Sequence, residues 1–233
     1  MKPVVLSWSS GKDSAWALHR LRRSDEYEVV GLMTTINAAA DRVAMHAVRR
    51  SLLEAQAAAA GLPLTTIALP WPCSNQEYES LMLAACRDIL AGGIETIAFA
   101  DLFLADIRSY REKQLAGTGL EPLFPLWGLP TGELARAMIA DGLRARITCV
   151  DSRQLSPSFA GRDFDAALLT DLPAGVDPCG ERGEFHTFCY AGPMFSAPLQ
   201  IETGEIIERE AFVFADLMLA LSHGTGAGRT GSG

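Results

Sequence analysis

An apolar strand, a tight polar turn and a helix open the chain: Val4-Val5-Leu6-Ser7-Trp8, then Ser9-Ser10-Gly11-Lys12-Asp13-Ser14, then Ala15-Trp16-Ala17-Leu18-His19. Small residues in such a turn let the backbone approach a ligand closely. A turn that feeds a helix aims unpaired N–H groups at whatever lies there, and the helix dipole favours an anion. Lys12 adds a positive charge, and Ser9, Ser10 and Ser14 add hydroxyl donors. Plain helix capping would account for Ser9 or Ser10, but not for a lysine and an aspartate in the first helical turn. The turn therefore reads as a phosphate site.

Two common phosphate loops do not fit. Walker A needs a glycine five residues before the Gly-Lys pair and a hydroxyl residue after the lysine, where this chain has Leu6 and Asp13. The dinucleotide pattern G-x-G-x-x-G needs three glycines, and this turn has one. Ser9 to Ser14 instead resembles the PP-loop (S-G-G-K-D-S) of the N-type ATP pyrophosphatases, which split ATP into AMP and pyrophosphate. Five of the six positions match, with Ser10 in place of a glycine. That departure is mild if Ser10 keeps a negative φ, and carries a modest strain if the turn needs a positive one.

Strand and helix alternate through the first 120 or so residues. Runs at 28–36, 64–69 and 96–100 read as strands. Stretches at 13–23, 41–60, 75–91 and 107–115 read as helices, with Asn75 as a cap. Helices of this length between strands imply parallel crossovers and a doubly wound, mainly parallel α/β sheet. In such sheets ligands sit beyond the carboxyl ends of the strands. The turn after the first strand, Thr34 after the second and Asp101 after the fourth all occupy such ends.

The pattern changes after Gly119. Pro122, Pro125 and Pro130 punctuate what reads as a linker, and a smaller α+β unit follows, with strands near 144–150, 184–190 and 199–209. The organisation expected is a PP-loop ATP-binding domain over 1–120, a substrate-binding domain over 121–221 and a disordered Gly/Ser/Thr-rich tail over 222–233.

Composition narrows the class. At 48% hydrophobic and 21% charged residues the chain is an ordinary globular one, and its net charge of −8 argues against general nucleic-acid affinity. No run is long and apolar enough to span a membrane, and Met1-Lys2-Pro3 enters a strand without a leader. The five scattered cysteines contain no C-x-x-C pair, so reduced thiols in the cytoplasm are expected, with Cys179 the one thiol placed near chemistry.

Two further constellations carry chemistry. Asp101 ends the fourth strand, and Arg108 and Arg111 lie three apart on the helix that follows, spaced to hold a phosphate or a carboxylate or simply to face water. Asp177 to Phe188 packs carboxylates, glycines and a histidine together. If 184–188 is a strand, Glu184, His186 and Phe188 share a face, and Glu181 joins them from the glycine loop. Histidine can exchange protons near neutrality, and a glutamate can orient an amine or take its proton.

Taken together, Ser9 to Ser14, Asp41-Arg42-Val43-Ala44-Met45-His46, Asp101 to Arg111, Pro125-Leu126-Trp127-Gly128 and Gly180 to Thr187 resemble the diphthine–ammonia ligase family. Gly180 to Thr187 is similar to its G-E-N-G-E-F-H-T signature, with Arg182 in place of asparagine. The resemblance implies an AMP-forming ligase: ATP adenylates a carboxylate, and ammonia then displaces AMP to form an amide. Ser9, Ser10, Gly11, Lys12, Asp13, Ser14 and Thr34 would bind ATP, with Mg2+ accompanying the phosphates. Lys12, Glu181, Glu184 and His186 would be catalytic. Asp101, Arg108, Arg111, Gly180, Glu181, Glu184, Phe185, His186 and Thr187 would bind substrate. The acceptor implied is diphthine on an elongation factor. An alanine-rich, arginine-over-lysine texture suggests a bacterial source, where another small carboxylate is the alternative. A tRNA-modifying enzyme and a non-catalytic nucleotide binder are weaker readings. No glutaminase triad is evident, so free or partner-supplied ammonia is implied, and the pattern leaves homo-oligomerisation open.

Overall fold

A computed structural model describes residues 1–43 and 48–220. The first half builds a mainly parallel sheet from β1 (Lys2–Ser7), β2 (Tyr27–Asn37), β3 (Arg42–Val43), β4 (Leu64–Leu69), β5 (Thr96–Ala98) and β6 (Glu121–Leu123). β1 lies between β2 and β5, with both pairings parallel, and β4 extends the sheet beyond β2. The chain thus winds outward on one side of β1 and then returns to build on the other. The carboxyl end of β1 is the switch point at which such sheets bind ligands.

Alternation within β1 sorts its side chains between two layers. Val4 and Leu6 join the core under α1 (Lys12–Arg22) and α2 (Arg50–Ala60). Val5 faces the other layer, where Cys86 of α3 (Asn75–Ala91) and Leu115 of α4 (Ala105–Leu115) pack with Met33, Ile67, Ile97 and Phe99. α2 ends at Gly61, in the left-handed conformation a helix stop favours.

Three sequence expectations need correction. Asp41 to Ala60 is not one helix: Arg42–Val43 pairs antiparallel with β2, and the helix begins at Arg50. Ala44 to Ala47, His46 among them, lie outside the described residues, as do the 222–233 tail and His223. Ser74 rather than Asn75 caps α3, closing a reciprocal capping box with Glu77. Finally, the stretch read as linker contains β6, paired parallel to β5. Glu121 N–H donates to Glu95 and Leu123 O accepts from Phe99, so Pro122 turns its missing N–H to the open edge, where a proline costs no ladder bond.

The second half adds α5 (Thr131–Ala140), β7 (Arg144–Asp151), a 3-10 turn at Pro157–Phe159, α6 (Ala166–Asp171), β8 (Phe185–Ala191), β9 (Ile201–Arg209) and β10 (Phe212–Leu219). They form an antiparallel sheet in the order β8-β7-β10-β9. β10 escapes the sequence pattern because Phe212, Phe214 and Met218 on its outer side are as apolar as Val213, Ala215 and Leu217 on its buried side. The core that holds Val4 and Trp8 continues through Ala145 and Phe188 to Leu217, so the two halves pack on each other.

Candidate active site

The turn after β1 is built by contacts made within it and across the chain. Ser9 Oγ accepts from Gly11 N–H at 3.3 Å and donates to Ser14 Oγ at 3.2 Å, and Ser14 Oγ donates to Gly11 O at 3.0 Å. Gly11, the first residue outside α1, carries no side-chain cap. The cap comes from β8: Lys12 N–H donates to Thr187 Oγ1 at 3.1 Å. A Cβ on Gly11 would lie 3.2 Å from Thr187 O, which leaves little room for a larger residue. Ser10 has φ +67°, so the turn does require the left-handed conformation that a glycine would adopt more easily.

Lys12 is buried at the seam between the halves. Its Nζ donates to Asp13 Oδ2 at 2.8 Å and to Cys179 O, and lies 5.4 Å from the ring centres of both Phe164 and Phe185. Burial is the largest single influence and would lower the ammonium pKa, but the charge and hydrogen bond of Asp13, with Cys179 and Glu181, together outweigh it and the net shift is upward. Lys12 therefore stays protonated at neutral pH.

The Asp177–Glu184 loop is held by its own carboxylates. Asp177 Oδ2 accepts from the N–H groups of Cys179 and Glu181 at 3.1 and 3.0 Å. Glu184 Oε1 and Oε2 accept from the N–H groups of Asp177 and Arg182, each at 2.9 Å. Gly180 sits at φ +70°, and a Cβ there would come within 2.7 Å of Phe185 O, so both backbone conformation and space favour glycine. Glu181 Oε1 accepts from Leu102 N–H at 2.7 Å and joins the loop to the segment after β5.

These pieces enclose a polar cavity of about 230 Å3. Ser9, Gly11, Lys12, Asp13 and Ser14 form one wall, Asp101 and Arg111 another, and Gly180, Glu181, Phe185, His186 and Thr187 a third. A larger and more apolar cavity of about 610 Å3 adjoins it, sharing Ser7, Ser9, Phe99 and Arg111 and bounded further by Thr34, Tyr78, Met82 and Tyr110.

Burial dominates the electrostatics. It raises Asp13 and Asp101, and it pushes Glu181 up to about 7 against the hydrogen bond from Leu102. Burial, with the charge of Lys12, pushes His186 down to about 4, so the imidazole is neutral at pH 7. The site thus holds a carboxylate poised near neutrality beside a neutral histidine and a fixed ammonium.

Some expected site residues stand elsewhere. Arg108 lies 4.8 Å from the ring centres of Phe124 and Trp127 and bonds Glu112 at 2.8 Å, away from the cavity. Glu184 is buried with both oxygens committed to the loop, so it acts there as a clamp. Ser10 is buried behind the turn, its Oγ without a hydrogen-bond partner. Thr34 borders only the larger cavity. Arg182 turns its guanidinium over Phe103 at 5.5 Å. Burial raises the Cys179 thiol, and the carbonyl of that residue rather than its sulfur meets Lys12. Gln56 organises the site without being singled out by sequence, and Asp177, which opens the constellation read from the sequence, holds the loop rather than the cavity. The signal for Gln56 was one amide among the apolar inward positions Leu52, Leu53, Ala57 and Ala60.

The match to known families extends over both halves. A family model described as the diphthamide synthase N-terminal domain matches residues 1–120, and one described as the diphthamide synthase C-terminal domain matches residues 131–219. The chain belongs to the diphthamide synthase family. It is similar to the human protein named diphthine--ammonia ligase, with 28% identity over 165 residues, 66% of this chain and 60% of that protein. The rat protein of the same name is 29% identical over 144 residues, 59% of this chain and 52% of its own length. The bovine one is 32% identical over 101 residues, 41% and 38% of the two chains. The aligned region thus spans between half and two thirds of the human and rat relatives.

Proposed function

We propose that this chain is an ATP-dependent, AMP-forming amide ligase that uses ammonia. The observation that carries the reading is the cavity at the start of α1, where Lys12 and Asp13 meet Glu181 and His186 from the opposite half of the chain. A nucleotide-binding module has no need of that second wall. The relatives' name, a ligase joining diphthine and ammonia, supports the same chemistry.

ATP would lie across both cavities, its base and ribose in the larger one near Thr34 and its phosphates at the turn. The acceptor carboxylate attacks the α-phosphorus, a new P–O bond forms, and the bond to pyrophosphate breaks. Lys12 and the start of α1 offset the charge that gathers on the leaving pyrophosphate. Ammonia then attacks the acyl carbon, the C–N bond forms, and AMP leaves with the C–O electron pair. Glu181, poised near 7, takes the proton the nitrogen sheds.

Magnesium fits this arrangement as a companion of the phosphates. Among the described residues no three carboxylate, histidine or cysteine side chains form a cage. Asp13 Oδ1 has no hydrogen-bond partner, and Asp101 meets Arg111 only at 3.6 Å. One or two carboxylates plus phosphate oxygens is the usual magnesium environment, and the ion would supply charge neutralisation there.

The test is an amidation assay read by mass spectrometry. Purified protein is given ATP, Mg2+, ammonium and an elongation factor arrested at diphthine. A mass change of OH replaced by NH2, with AMP formed and both lost in Lys12→Ala, is the result expected. AMP formation without that mass change would replace diphthine by a small-molecule carboxylate. Absence of AMP with every carboxylate offered would overturn the ligase reading.

A further inference from the structure

Gln56 is fully buried on α2, and its partners dictate how its amide points. An indole N–H can only donate and a backbone carbonyl can only accept. Trp8 Nε1 donates to Gln56 Oε1 at 3.0 Å, so the amide nitrogen faces the other way. There it donates to Ser10 O at 2.9 Å and to Cys189 O. Ser10 O also accepts from Cys189 N–H at 2.9 Å. One side chain thereby joins the end of β1, the turn and β8.

The point it grips is strained. Ser10 is at φ +67°, a conformation that favours glycine, and its own hydroxyl makes no hydrogen bond there. What holds this turn is donors on the Ser10 carbonyl. That carbonyl and Gly11 N–H belong to one planar peptide, so fixing one fixes the other. With the carbonyl held toward Gln56 and β8, Gly11 N–H is held toward Ser9 Oγ on the cavity side.

We propose that Gln56 is a positioning residue: it locks the Ser10–Gly11 peptide so that the turn meets an anionic ligand already formed. It also makes the order of the turn depend on β8, the strand that carries His186 and Thr187. The proposal rests on reading the turn as a phosphate site.

The test compares Gln56→Met, Ser10→Gly and the double variant. Amide hydrogen exchange is followed over residues 9–14 without ligand, and ATP affinity is measured by calorimetry with Mg2+. Loss of the two donors should speed exchange at 9–14 about tenfold while distant core amides change less, and weaken ATP by about the same factor. Ser10→Gly removes the cost of the left-handed turn, so it should restore exchange protection and affinity more in the Gln56→Met background than alone. Uniformly faster exchange, or an equal gain from Ser10→Gly in both backgrounds, would show that Gln56 is only a core residue and overturn the proposal. A parent protein that does not bind ATP would sink the phosphate reading, while the exchange pattern still decides the role of Gln56. Should Gln56→Met fail to fold, Trp8→Phe removes the donor that orients the amide, and about threefold faster exchange confined to 9–14 is expected; no change there would count against the proposal.

Discussion

Lys12 N–H, in the first turn of α1, donates to Thr187 Oγ1 of β8 at 3.1 Å, across 175 positions of sequence. A helix-start donor that usually meets a local cap or water is thus satisfied by the second half of the chain. Removing that hydroxyl while keeping the shape, as in Thr187→Val, leaves a buried donor unpaired. A loss of about 1–3 kcal/mol is expected from denaturant unfolding, together with weaker ATP binding. Thr187→Ser keeps the acceptor and should restore most of both.

Glu181 carries the pH dependence. Burial lifts it from its ordinary 4.5 to about 7, so between those values the folded chain keeps a proton that the unfolded chain has lost. This contribution to stability therefore falls as pH rises from 4.5 to 7 and is level above. Glu181→Gln still accepts from Leu102 but cannot titrate, so its melting temperature should gain on the parent across that window. Turnover has the opposite slope, because only the ionised carboxylate takes a proton. The rate should rise through pH 7 in the parent. With free ammonia held at one concentration, in Glu181→Gln it should be flat there and lower by about a hundredfold or more.

Glu184→Gln separates a clamp from a catalyst. The carboxylate accepts from two backbone N–H groups, one on each oxygen. An amide can accept only through its oxygen, so one buried donor is lost, at a cost of about 1–2 kcal/mol in thermal or denaturant unfolding. The pH–rate inflection near 7 should remain in this variant. Its disappearance would give Glu184 a place in proton transfer.

The two glycines of the same loop should differ in their tolerance of alanine. Both have positive φ, +70° at Gly180 and +81° at Gly183. A Cβ at Gly183 meets nothing within 4 Å, whereas one at Gly180 meets Phe185 O at 2.7 Å. Gly183→Ala should cost about 1 kcal/mol from backbone strain alone. Gly180→Ala adds a clash with the backbone of β8 and should cost about 2–4 kcal/mol, with loss of activity, by calorimetry and turnover.

How far the site can be read before folding varies residue by residue. Ser9, Gly11, Lys12, Asp13 and Ser14 announce themselves because a strand, a small-residue turn and a charged helix start are adjacent in sequence. Glu181 and His186 stand out by density of chemically able residues in a short loop. Arg108 and Glu184 carry the same side-chain chemistry as residues that line the cavity, yet aromatic rings and backbone N–H groups elsewhere take them up. Asp41 to Ala60 reads as a helix from composition, but its first residues pair with β2 and the helix starts only at Arg50.

Local chemistry along the chain was enough to determine the mainly parallel α/β sheet and the polar turn at the carboxyl end of its first strand. Such features follow from the period of apolar residues and from turn residues a few positions apart. Tertiary structure alone decided which side chains reach the cavity, that Ser10 must take a left-handed conformation, that Thr187 caps α1 and that Gln56 grips the turn. Those outcomes depend on β8 and α2 arriving beside a loop far away in sequence. Partners so distant leave no periodic trace, because a buried donor needs an acceptor in space and not at any set spacing along the chain.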